Sequence, residues 1–299
     1  MSISGEVLEQ RWLPKRIILV RHGESMGNKD EGMYGILPDH SIPLSPQGME
    51  QAKQAGILIR QLLDHDSTKW KVYIYVSPYE RTRSTLREIG RAFPKNKVIG
   101  AREECRVREQ DFGNFQDAKK MKQLKEIRNK FGRFFYRFPE GESGADVYDR
   151  VSNFLESLWR DIEMKRFPQE VGEEVNLVIV SHGLAIRIFL MRWFRWTVGQ
   201  FELLKNPKNC EYRVMQLGGR GEYSLAIHHD HEKLKAWGLS EEMIADQKLR
   251  AWGPGHQNTQ FEEQKKEEQD QCMWFDAFFY PQEENDEETT EDEEASSQL

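Results

Sequence analysis

Apolar residues along this chain fall into short, nearly uninterrupted blocks separated by longer stretches with helical spacing. Residues 16–20 (Arg-Ile-Ile-Leu-Val), 72–76 (Val-Tyr-Ile-Tyr-Val) and 175–180 (Val-Asn-Leu-Val-Ile-Val) are such blocks. Their shape predicts strands buried on both faces of a sheet. Val98-Ile99 predicts a short further strand, and 212–217 with 223–228, around Gly218-Gly219, predict a late pair of edge strands. Between them, 47–63, 79–92, 143–165, 184–196 and 240–250 have the pattern of helices. Ser45 is placed to cap the first of these, with Pro46 at its first position. Ser143 and Asp146 have capping-box spacing at the start of the third. Strands alternating with helices predict an α/β fold: a three-layer sandwich with a mainly parallel central sheet and helices on both faces. The expected organisation is a lead-in over 1–15, one folded domain over 16–253 with an insertion at 117–137, and a tail over 254–299.

Composition changes this picture mainly at the C-terminus. The formal charge is −7, but nine acidic residues and no Lys or Arg lie in 281–299, so the remainder is slightly basic. A segment this acidic cannot bury enough apolar surface to offset its chain entropy, and disorder is expected there. Cys105, Cys210 and Cys272 are too scattered for a disulfide framework, which points to a reducing compartment. No apolar run reaches the ~18 residues of a membrane span, and the N-terminus has no apolar core of a signal peptide. The expectation is a cytoplasmic protein, with the nucleus also open, and no membrane partner.

The chemistry collects at strand ends. The first block runs into Arg21-His22-Gly23-Glu24, the second into Ser77-Pro78 and a helix carrying Arg81, and the last into Ser181-His182-Gly183. Ligands of open α/β sheets bind outside the carboxyl ends of the strands, which places His22, Arg21, Arg81 and His182 on one edge. Two arginines suit the oxygens of a phosphoryl group, and a neutral imidazole is a nucleophile able to accept one. Such a cradle stabilises charge without a metal or other cofactor.

The ordered set Leu19-Val20-Arg21-His22-Gly23-Glu24-Ser25 with Asn28, Leu44-Ser45-Pro46-Gln47-Gly48, Ser77-Pro78-Tyr79-Glu80-Arg81-Thr82, Arg108-Glu109-Gln110-Asp111-Phe112-Gly113 and Val180-Ser181-His182-Gly183 resembles the histidine phosphatase, or phosphoglycerate-mutase-like, superfamily over roughly 16–230. Asp39-His40-Ser41-Ile42-Pro43-Leu44, Tyr136-Arg137-Phe138-Pro139 and Trp237-Gly238-Leu239 resemble its plant and fungal branch, which includes a broad-range acid phosphatase. The resemblance implies His22 as nucleophile and Glu109 as general acid and then base. It implies Arg21, Arg81, His182 and Asn28 as holders of the phosphoryl oxygens. It also implies a metal-independent phosphomonoester hydrolase acting on small phosphorylated metabolites. Competing readings are a phosphoglycerate mutase and a non-catalytic phosphate-binding protein. The stretch after Gly113 does not follow the mutase pattern, and the intact set of His22, Arg21, Arg81, Glu109 and His182 speaks against a mere binder.

Three features stand outside that set. His228-His229-Asp230-His231 invites a metal site, but adjacent histidines on a strand face opposite ways, and a solvated strand end is the expectation. Residues 119–137 hold eight Lys or Arg against Glu126 alone, interleaved with aromatics. Nucleic acid, a membrane surface or a plainly solvated helix would each fit; the expectation is a basic lid drawing in phosphorylated substrates, with Arg137, Glu142 and Ser143 as candidate pocket residues. Trp274, Phe275, Phe278, Phe279 and Tyr280 precede the acidic tail, either folded back on the domain or forming a docking motif for a protein partner.

Overall fold

The structure, a computed structural model, describes residues 12–113, 117–168 and 170–254. In chain order the elements are β1 (Arg16–Arg21), a short α1 (Met26–Lys29), α2 (Pro46–Asp66), β2 (Trp70–Val76), α3 (Glu80–Gly90), β3 (Val98–Glu103), α4 (Ala118–Phe131), α5 (Gly144–Glu163), β4 (Glu174–Ser181), α6 (Gly183–Phe194), α7 (Val198–Leu203), β5 (Tyr212–Leu217), β6 (Tyr223–Ser224), α8 (His231–Ala236) and α9 (Glu241–Trp252). The strands form one sheet in the order β3-β2-β4-β1-β5-β6. The first four run parallel, β5 runs antiparallel to β1, and β6 runs antiparallel to β5.

The uninterrupted apolar blocks follow from this topology. β1 and β4 are interior strands, so every side chain faces one of two cores. Ile17 and Leu19 pack with Leu177, Phe154 and Phe189 on the face carrying α5 and α6. Ile18 and Val20 pack with Val178, Ala52, Ala55 and Ile89 on the face carrying α2 and α3. The α/β three-layer reading holds. No described helix is long and apolar enough to cross a membrane.

Element ends depart from expectation where side chains take over from the backbone. β6 stops at Ser224 because Gln247 of α9 intervenes: its Oε1 accepts from Leu225 N at 2.9 Å, and its carbonyl accepts from Ser224 Oγ at 2.5 Å. Residues 226–228 then turn away. This corrects the solvated strand end expected for the His228-His229 run at His229, while His228 is exposed. His229 is buried, and its Nε2 accepts from Val214 N at 2.9 Å. β6 pairs with β5 only at Gln216 and Leu217, so the imidazole occupies the place a strand would take beside Val214. Burial, with the nearby charges of His228, Lys233 and Arg213, pushes its pKa down to about 3, so it stays a neutral acceptor. α7 and α8 were not foreseen. Each is six residues long, too short for periodicity, and is marked only by the Thr197–Gln200 capping box and the Asp230 cap. The expectations for the lead-in through residue 11, and for the disorder, aromatic cluster and acidity of 255–299, lie outside the described residues.

One packing feature fixes the turn after β1. A Cβ on Gly23 would sit 2.4 Å from the Gly48 carbonyl oxygen, and one on Gly48 would sit 2.0 Å from that of Glu24. The Glu24 carbonyl also accepts from Ser45 N, so neither backbone can yield. Gly48→Ala is expected to cost at least ~1–3 kcal/mol, the usual price of overpacking, visible as a lowered midpoint in thermal or urea unfolding. An unchanged midpoint would mean that the α2 start can shift.

Candidate active site

Because β1, β2 and β4 are parallel, their carboxyl ends share an edge, and the ladder runs on one residue further. His22 N donates to Ser181 O at 3.0 Å, and Ser77 N donates to Val180 O at 3.0 Å. This lock brings His22 and His182 side by side, ring centroids 5.1 Å apart. His22 is 3% exposed and His182 0%.

The two rings are oriented differently. His22 Nδ1 lies 2.7 Å from the Gly23 carbonyl. A carbonyl only accepts, so Nδ1 carries the proton and Nε2 keeps its lone pair. Burial and the positive charges of Arg81 and Arg21 hold His22 well below the ordinary imidazole value, against the Gly23 hydrogen bond. It is therefore neutral at physiological pH. His182 is likewise pushed well down by burial, then by Arg81, His22, Arg150 and Arg21. Its Nε2 is 2.8 Å from Ser77 Oγ, and its Nδ1 is buried with no partner among the described residues.

Two guanidinium groups flank these rings. Arg81, on the first turn of α3 and 3% exposed, donates through Nη1 to the carboxylate of Asp39 at 2.8 Å and to its carbonyl at 2.6 Å. It also lies over the Tyr79 ring, 4.8 Å from the centroid. A buried cation at a helix start opposes the helix dipole, so an anion beside it is required. Arg21 donates through Nη1 to Pro207 O at 2.6 Å, while its Nε is buried with no partner among the described residues. Asn28 uses its side-chain oxygen twice, accepting from Ser25 N at 3.2 Å in the α1 capping box and from Asn209 Nδ2 at 3.1 Å. The amide donor is the group it has left to offer.

Glu109 is half-buried and accepts at Oε1 from Gln110 N at 3.0 Å. Burial pushes its carboxyl up, against that hydrogen bond and the attraction of Arg81 and Arg21, with Asp39 adding to the rise. Its electrostatic neighbours are thus the cradle itself. Tyr34 and Tyr79 join the same group: burial raises each phenol to about 12, and both feel Arg81, Asp39 and Glu109.

The further pocket candidates are engaged elsewhere. Ser143 caps α5. Arg137 reaches Asp146 at 2.7 Å and Gly141 O at 3.2 Å. Glu142 has both carboxylate oxygens taken by Arg108, Arg150 and Asp111 N. The basic helix α4 is tied by Lys125 to Glu31, at 2.8 Å, in the 3-10 turn Glu31–Gly35 that carries Tyr34. Sequence reasoning missed Tyr34, Asn209 and the role of Asp39. They lie in irregular segments, where no spacing rule marks a residue.

Asp39 is an acid inside a cationic site. It competes for Arg81 with any incoming oxyanion, so Asp39→Asn is expected to lower the inhibition constant of inorganic phosphate by ~3–30-fold, the scale of one charge-assisted bond. A higher constant would show instead that Asp39 orients Arg81.

An open, mainly parallel sheet bearing paired histidines, two arginines and an up-shifted carboxyl at its carboxyl edge defines an α/β site for phosphoryl groups. Comparison with known proteins agrees. Residues 17–230 match the model of the Histidine phosphatase superfamily (branch 1). The chain is 60% identical over 252 residues to the Phosphoglycerate mutase-like protein AT74H of Arabidopsis thaliana, covering 83% of this chain and 90% of that one. It is 32% identical to the Broad-range acid phosphatase DET1 of Saccharomyces cerevisiae, covering 68% and 86% respectively. Among solved structures, the mycobacterial glucosyl-3-phosphoglycerate phosphatase Rv2419c with VO3 superposes with a TM-score of 0.53 at 21% identity, covering 68% of this chain and 91% of that chain, a likeness of fold. The chain belongs to the histidine phosphatase superfamily, and with it to the phosphatase class of enzymes.

Proposed function

We propose that the protein hydrolyses phosphomonoesters of small metabolites in two steps through a phosphohistidine on His22, without a metal. The observation that carries this reading is the tautomer of His22. The Gly23 carbonyl takes the Nδ1 proton, so a neutral Nε2 lone pair is presented between two guanidinium groups.

The first step forms a bond from Nε2 to phosphorus and breaks the bond from phosphorus to the ester oxygen. Arg21, Arg81 and the Asn28 amide hold the non-bridging oxygens. His182 joins them if the Ser77 hydroxyl donates to its Nε2, because Nδ1, which has no partner among the described residues, then carries the proton. Glu109, kept protonated by burial, gives its proton to the departing alkoxide. In the second step the Glu109 carboxylate takes a proton from water, the resulting hydroxide attacks phosphorus, and the bond to Nε2 breaks. Phosphate leaves and Glu109 is again protonated. The broad-range acid phosphatase relative supports hydrolysis as the outcome.

The test is hydrolysis of 4-nitrophenyl phosphate from acidic to mildly alkaline pH with a chelator present. Chelator-resistant turnover is the expected result. Activity lost to the chelator and restored by a divalent metal would overturn the metal-free mechanism.

A further inference from the structure

Arg150 lies in the second turn of α5, outside every motif considered above, and its side chain is 11% exposed. It makes five hydrogen bonds. Nη1 donates to Arg106 O at 2.7 Å and Arg108 O at 2.9 Å. Nη2 donates to Glu109 O at 2.9 Å and Glu142 Oε2 at 2.9 Å, and Nε donates to Glu142 Oε1 at 3.0 Å. The two carbonyls of Arg108 and Glu109 bracket the Glu109 Cα, so one planar fork fixes the peptide groups on both sides of that residue.

Glu142 completes the clamp from the other side. Its Oε2 accepts from Asp111 N at 3.0 Å and its Oε1 from Arg108 Nη2 at 2.6 Å. Its backbone exchanges bonds with the same loop: Glu142 N donates to Asp111 O, and Gln110 Nε2 donates to Glu142 O, both at 2.8 Å. Burial alone would push the Glu142 carboxyl up, but hydrogen bonds and charge from Arg150, the Asp111 amide and Arg108 hold it below the usual range. The Glu142 carboxylate therefore stays ionised while the active site titrates. Apart from the bonds between Arg150 and Glu142 themselves, the side-chain bonds of the clamp go to residues 106–111, which carry Glu109 but no other cradle residue.

We propose that Arg150, braced by Glu142, is a positioning residue for the acid–base step: it sets where the Glu109 carboxyl meets the leaving oxygen and the attacking water. The inference rests on Glu109 being the general acid, as in the mechanism above. Lysine cannot replace this function. A single ammonium has neither the reach nor the fork to hold two peptide carbonyls and a carboxylate at once. A misplacement of about 1 Å at a reacting group costs ~10²-fold.

The distinguishing readout is leaving-group dependence, measured as kcat/KM over a series of substituted phenyl phosphates. kcat/KM reports transfer to His22, the step in which the acid protonates the leaving group. 4-Nitrophenolate leaves readily without a proton, whereas phenolate benefits from one. Arg150→Lys is expected to lower kcat/KM for phenyl phosphate by ~10–100-fold and for 4-nitrophenyl phosphate by much less, so the series steepens. Glu109→Gln should steepen it in the same direction, and adding Arg150→Lys to Glu109→Gln should add little. Glu142→Gln, which keeps the volume and one acceptor, serves as the milder second variant should Arg150→Lys fold poorly, and it should steepen the series less. A uniform loss across the series in both clamp variants, alongside a steepened series in Glu109→Gln, overturns the positioning role. An unchanged slope in Glu109→Gln itself would instead overturn the assignment of Glu109, leaving the two failures distinguishable.

Discussion

His22→Ala should abolish turnover, lowering kcat by ~10⁴-fold or more, the scale seen when an enzyme loses its nucleophile, while leaving the phosphate site in place. The second half of that expectation follows from charge. His22 is neutral in the folded protein, because burial and the flanking Arg81 and Arg21 disfavour its protonation. Removing it takes away no positive charge, and the guanidinium groups keep their Asp39 and Pro207 anchors. Inorganic phosphate should therefore inhibit binding of a fluorescent or substrate-analogue ligand with a constant within a few-fold of the wild type. Steady-state kinetics and a phosphate titration check the two halves separately. Residual turnover close to wild type would mean that another group attacks phosphorus. A collapse of phosphate binding together with turnover would mean that the imidazole is a structural member of the cradle.

Glu109→Gln has the next largest expected effect, ~10²–10⁴-fold on esters with poor leaving groups, and it carries a pH signature. Burial raises the Glu109 carboxyl above its ordinary value of 4.5. Its protonated form is the active one in the first step, so kcat/KM should fall as pH rises through that raised value. His22 and His182 are held well below their ordinary 6.5. Their protonation therefore cuts activity only at a pH well under the usual imidazole range. The combination predicts an acid-shifted profile with its alkaline limb owned by Glu109. In Glu109→Gln that limb should disappear for phenyl phosphate, whose leaving group needs the proton, leaving a lower but flat profile. A limb that persists unchanged in the variant would assign it to a different group.

Much of the scaffold was legible because buried parallel strands leave a strong mark. The blocks ending in His22 and His182 have the pattern of strands buried on both faces, and the topological rule for open sheets puts both histidines on one edge. Arg81 was legible for a related reason: a guanidinium at a helix start needs an anion. Glu109 was not legible from local pattern. A lone carboxylate beside Arg108 is indistinguishable from a surface pair, and only the resemblance to a family singled it out. Arg150 was invisible for the same reason. Its five partners include three backbone carbonyls, and a carbonyl has no sequence signature. Asp39 and Tyr34 sit in 3-10 turns, where contacts are set by the fold and no periodicity is available. His229 shows the opposite failure. A run of histidines drew attention to metal chemistry and to solvent, whereas the structure uses one ring as a buried acceptor for a strand edge.

The central claim is the covalent one. The protein should be mixed with a phosphorus-labelled substrate, quenched in alkali within the first turnover, and digested for mass spectrometry. A base-stable, acid-labile phosphoryl group on His22 Nε2, absent from His22→Ala, is the predicted result. Rapid hydrolysis with no phosphoenzyme at the earliest times in either wild type or Glu109→Gln, whose second step should be slowed, would contradict it and point to direct attack by water.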